Sequence, residues 1–110
     1  MKVILHNGNM VAFAHGARIK LDPDLDALDP DHPDRRWAMA LATFACLIET
    51  GDQPGPYTTD HAAEFARDML LPVHLFVLYA AGTDPALASI FKVPAEQIRY
   101  RRTELSLGRN

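Results

Sequence analysis

Residues 37–48 read WAMALATFACLI, and Thr43 carries the only strongly polar side chain in that run. Trp37, Leu41, Phe44 and Ile48 recur at the spacing of one helical face, while Met39, Ala40, Ala42, Ala45 and Leu47 make the other faces apolar too. A helix that is apolar all round has to be covered all round. The rest of the chain must therefore be arranged about it. The run spans about twelve residues, and crossing a bilayer takes roughly 20. The pattern predicts a buried central helix that starts near Asp34 and ends near Gly51.

A chain of 110 residues is one domain's worth, and 48% hydrophobic with 23% charged residues is globular composition. Upstream of the central helix the period changes from helical to alternating. KVILH and MVAFA flank an Asn-Gly pair, the sequence mark of a hairpin. After a second turn at His15–Gly16, Ile19 and Leu21 alternate with Arg18 and Lys20, as in a strand with one face on a core. DPDLDALDPDHPD, with three prolines and six aspartates, reads as a rigid solvated loop. Its D-x-D-x-D start fails as a calcium loop, because the sixth and twelfth places hold Ala27 and Pro33 instead of glycine and glutamate.

Downstream, TTDHAAEFARDMLLP offers Thr58, Thr59 or Asp60 as N-cap and an inward stripe of Ala62, Phe65, Ala66, Met69 and Leu70. Pro72 opens another apolar helix, PVHLFVLYAAG, in which His74 is expected in the core. A short helix capped by Thr83 or Asp84 follows. A last helix starts at Pro94, with Ala95, Ile98 and Leu105 inward. The expected architecture is α+β and a single domain. About three antiparallel strands with the acidic loop (residues 1–33) pack on about five helices (34–110), around a buried central helix.

The formal charge is -3, which gives no general attraction for nucleic acid. The sign is uneven. From Lys92 onward five basic residues face two acidic ones, so the remainder of the chain carries an excess of six negative charges. Cys46 is the single cysteine, which rules out an internal disulfide, and it sits in the apolar run as a small hydrophobe. The N-terminus shows no secretory pattern, so a cytoplasmic protein without membrane contact is expected.

HAAEFARDMLLP resembles the A-n-x-F-A-a-x-L-L-M-P signature of the ImmA/IrrE-type metallopeptidases, with Ala62, Phe65, Ala66, Leu70 and Pro72 in place. LASIFKVPAEQIRYRRTELSLG is similar to that family's tail through Leu87, Ala88, Phe91, Val93, Ile98, Arg101, Leu105 and Gly108. RRWAMALA resembles the family's lead-in to its active-site helix. The resemblance implies a zincin-like core. In the family that helix carries H-E-x-x-H, two zinc-binding histidines one turn apart with a glutamate that handles the proton of the metal-bound water. The corresponding positions here are Leu41, Ala42 and Ala45, and the family's third ligand falls on Thr59. All the ligands and the general base are absent, so no metal or other cofactor is expected. Hydrocarbon replaces groups that would cost a few kcal/mol each to bury unpaired.

Family members act on helix–turn–helix repressors of phages, mobile elements and stress regulons. The resemblance thus implies a catalytically inactive metallopeptidase-like domain that binds a regulatory protein such as a repressor. Two other readings stay open. LASIFKVPAEQIRYRRTEL has helix–turn–helix character, with Lys92 where the turn usually has glycine. There Arg99, Tyr100, Arg101 and Arg102 are candidate contacts to a partner or to DNA phosphates. A hydrolase with a rebuilt metal site would draw on His61 and Glu64, with Asp60 beside them. The apolar VHLFVLYAA also makes a homodimer plausible.

Overall fold

The structure, a computed structural model, describes residues 2–105; Gly108 lies outside the described residues. Three strands, β1 (Lys2–His6), β2 (Asn9–His15) and β3 (Arg18–Leu21), form an antiparallel sheet in the order β1-β2-β3. Asn7 and Gly8 link the first two with φ of 52° and 79°, the pair of positive values that a two-residue type I′ turn demands. Pairing of Ile4 with Ala12, Ala12 with Leu21 and Ala14 with Ile19 sets one apolar face. Ile4, Ala12, Ala14 and Leu21 on that face are buried.

Six α-helices follow, α1 (Pro23–Asp26), α2 (Pro33–Glu49), α3 (Thr59–Leu70), α4 (Val73–Phe76), α5 (Asp84–Phe91) and α6 (Ala95–Glu104), with a 3-10 turn at Val77–Tyr79. The expected α+β architecture is thus the observed one. The caps explain the helix starts. Thr58 accepts from the His61 N–H at 3.1 Å and Thr83 from the Ala86 N–H at 3.2 Å, which selects one residue from each set of candidates. The N-cap of α2 is His32, whose Nδ1 accepts from the Asp34 N–H ahead of Pro33 in the first turn.

α2 is the centre. It packs against α3 and all three strands, burying Trp37, Ala38, Ala40, Leu41, Ala42, Phe44, Ala45 and Cys46. Its cover is not complete: Met39 is 37% exposed, and Thr43, one turn on, is half-buried and donates its hydroxyl to the Met39 carbonyl. Ala62 and Ala66 are fully buried, and their small side chains let α3 approach α2 closely, while Phe65 stacks on Phe44 at 5.1 Å. A second core, of Leu71, Phe76, Leu87, Val93 and Ile98, holds the C-terminal helices together, and Leu70 packs against both cores.

Several expectations are corrected. The acidic loop contains α1, because Asp22 accepts from the Asp24 N–H and Pro23 supplies the first-turn φ. The stretch 73–82 is not one helix. Four helical residues give way to the 3-10 turn, and Phe76 alone of these is buried. His74 is exposed, as are Met69 and Ala95. The turn between α5 and α6 does adopt the left-handed conformation that favours glycine, with Lys92 at φ 57°.

Candidate functional site

A cleft of about 560 Å³ opens beside the central helix. Its walls are the end of β1 (Leu5, His6), α2 (Trp37, Leu41), α3 (Thr59, Asp60, Ala63, Glu64, Arg67) and α6 (Glu96, Gln97, Tyr100). The helical period puts them there. Trp37 and Leu41 lie one turn apart on α2. Asp60, Ala63, Glu64 and Arg67 form an i, i+3, i+4, i+7 stripe on α3, beside the Ala62 and Ala66 face that meets α2.

The polar groups of the cleft fall into two sets. One is braced. Arg67 donates to Gln97 Oε1 at 3.0 Å and to Glu104 Oε2 at 2.7 Å, and its guanidinium lies over the Tyr100 ring at 5.4 Å. His6 Nδ1 accepts from the Trp37 indole N–H at 3.3 Å, and its Nε2 lies 3.3 Å from the Asn7 side-chain amide nitrogen and 3.5 Å from Glu96 Oε1. The other set, Asp60 and Glu64, is exposed and faces open solvent. Arg67 is matched by Glu104, so the acidic groups give the cleft a negative balance.

Two of the four positions that the resemblance assigns to metal chemistry, Leu41 and Thr59, line this cleft; Ala42 and Ala45 are buried in the core. One threonine hydroxyl and three hydrocarbon side chains do not fit a catalytic zinc, which takes three nitrogen, sulfur or carboxylate ligands. Among the described residues no group of three or more His, Cys, Asp and Glu side chains is placed to hold a metal ion. His61 lines a different groove, with Gln53, Pro54 and Pro56, although Glu64 borders both.

The candidate contacts of the last helix separate in the same way. Arg99 and Tyr100 point outward, with the Arg99 guanidinium 5.6 Å from the Tyr100 ring centroid. Arg101 is 5% exposed and donates through Nε to the Leu71 carbonyl at 3.0 Å and through Nη1 to Asp68 at 2.8 Å. Arg102 donates to Asp84 at 2.9 Å, to the Ala80 carbonyl at 2.6 Å and to the Gly82 carbonyl at 2.5 Å. These two arginines are committed inside the fold, which removes them from a phosphate-binding surface. His6 and Glu96 were not singled out in the sequence. They meet across the chain with no local pattern to announce them; Arg67 was not singled out either, although its spacing from Asp60, Ala63 and Glu64 puts all four on one side of α3. Comparison with protein-family models, with curated proteins and with solved structures finds no match to this chain.

Proposed function

We propose that this chain is a non-catalytic, metallopeptidase-like domain whose cleft holds a segment of a regulatory protein, such as a helix–turn–helix repressor, without cutting it. The observation that carries the reading is that Leu41 and Thr59 line an open cleft. None of the positions that the resemblance assigns to metal chemistry holds a zinc ligand, and two of them border open space. β1 is an edge strand, and its end lines the cleft, so an extended segment would find unpaired backbone groups beside it. The negative balance of the walls favours a segment that carries a lysine or arginine.

The test is capture from lysate by tagged chain, with and without nuclease, followed by intact-mass measurement of every bound protein. A full-length regulatory protein that survives nuclease, and is lost when Thr59→Trp fills the cleft, is the expected result. A truncated partner would replace this reading with hydrolysis. Capture abolished by nuclease would replace it with DNA binding.

A further inference from the structure

We infer that the outer face of the sheet is a docking surface for one amphipathic helix of a partner protein, apolar toward β1 and acidic toward β3. The strand register defines the face. Val3, Phe13 and Lys20 stand side by side across the three strands, Leu5 is opposite Met10, and His15 is opposite Arg18. Directly opposed side chains lie about 5 Å apart, so these residues form one continuous surface. α2 packs on the other side of all three strands, where Ile4, Ala12, Ala14 and Leu21 are buried. On the outer side Val3, Leu5 and Met10 stay 36% to 44% exposed. Phe13 is half-buried there, beside a groove of about 460 Å³ that it lines with Arg18 and Lys20.

Charge selects the chemistry of the occupant. The free face of an antiparallel sheet is ordinarily polar, whereas this one is apolar at β1 and β2 and basic at β3. Cations on an edge strand discourage strand pairing, but that role needs no apolar side chains beside them. Arg35, Arg67, Arg101 and Arg102 each pair with a carboxylate, while Arg18 and Lys20 form no ion pair among the described residues. No Asp or Glu precedes Asp22 in the sequence, so the strands supply no anion of their own. A partner's carboxylates are the complement. The net charge of -3 repels such a partner elsewhere, which confines it to this face.

Shape selects a helix. Three strands span roughly 10 Å from first to last, which is the width of one α-helix. β2 has seven residues, and a strand of that length runs roughly 24 Å, or about four helical turns. A helix satisfies its own backbone groups and can lie flat on a sheet, as α2 does on the inner side. Nucleic acid fits less well. Two cations match two phosphates, and Val3, Leu5 and Met10 offer a phosphate nothing.

Fluorescence anisotropy of the whole chain with two synthetic peptides tests this. Each is about 15 residues of alanine with a leucine stripe, one carrying glutamates along the flank and the other lysines in the same places. The glutamate peptide is expected to bind with a Kd below about 100 μM, and the lysine peptide at least about tenfold more weakly. Arg18→Glu with Lys20→Glu should reverse that preference; both side chains are exposed, so the circular dichroism melt should not change. Val3→Ser should weaken both peptides. Thr59→Trp, which fills the cleft, should leave both affinities as they are, so this inference and the proposed function stand or fall separately. Absence of binding at that concentration overturns the inference, as do equal affinities, a preference that survives charge reversal, or loss with Thr59→Trp. Tighter binding of a thymidine oligonucleotide or of phosphatidylglycerol vesicles through Arg18 and Lys20 would replace the helix with nucleic acid or a lipid surface.

Discussion

Tyr57 packs its ring at 5.9 Å from Phe44 under the Lys2 ammonium, yet its hydroxyl is buried with no hydrogen-bond partner among the described residues. Burial pushes that hydroxyl above its ordinary value of 10.0. Cys46 is pushed above 9.0, chiefly by burial and further by the charge of Glu49. In both cases the folded state holds its proton more tightly than the unfolded chain does. The associated stability is fully present below the unfolded values and is lost as pH rises through the folded ones. Tyr57→Phe removes an unpaired polar group, and the expected gain is about 1 kcal/mol, read as a higher urea midpoint at neutral pH. The Tyr57→Phe, Cys46→Ala pair should also flatten the alkaline limb of the stability profile above pH 9.0. An unchanged limb would mean that other groups govern it. At this scale the sequence was legible where a residue acts on its own neighbours. Thr58 and Thr83 cap helices through adjacent backbone, and Asn7–Gly8 turns by its own φ values. It was not legible for His6 and Glu96, which are brought together by the whole fold.

Among the elements, α6 carries the clearest difference between expectation and structure. Its arginines looked like a basic stripe, and two of them are internal braces. A signal for Arg101 was present. It follows Ile98 by three residues and Gln97 by four, so it shares their inward side, and all three are buried. For Arg102 the acceptors are the carbonyls of Ala80 and Gly82, which no side-chain pattern reveals. Alanine substitutions separate the roles. Arg101→Ala is expected to cost about 3 kcal/mol, because the Leu71 carbonyl loses its donor and a buried side chain is emptied. Arg102→Ala should cost about 1–2 kcal/mol, and Arg99→Ala less than about 0.5 kcal/mol. Chemical denaturation of the three variants is the check; equal, small losses would return all three arginines to the surface. The apolar run 73–82 was read as one helix; Arg101 and Arg102 hold the backbone on either side of it, at the Leu71, Ala80 and Gly82 carbonyls, and local propensity does not encode those contacts.

For the whole molecule, the two cores divide the chain into unequal parts. α2 lies between α3 and the sheet, so its amides are screened from both sides, whereas in α4 and the 3-10 turn Phe76 is the one buried residue. Native-state hydrogen exchange should therefore be slowest in α2, at residues such as Leu41 and Ala45, and several orders of magnitude faster at residues 77–79. Uniform protection across both would show a single cooperative core. The α+β class and the central helix could be read from periodicity, since both depend on local repeats of apolar residues. The division into two cores could not, because the second core gathers Leu71, Phe76, Leu87, Val93 and Ile98 from separate short segments, and Leu70 packs against both cores. The bracing of residues 71–82 by Arg101 and Arg102 also has a consequence for synthesis. Leu78 emerges before the arginines that fix its surroundings. At about 5–20 residues per second, that leaves a second or more in which the segment is made but not yet held. In that interval this apolar segment is a nascent chain's liability, and the interval closes only once α6 has been made.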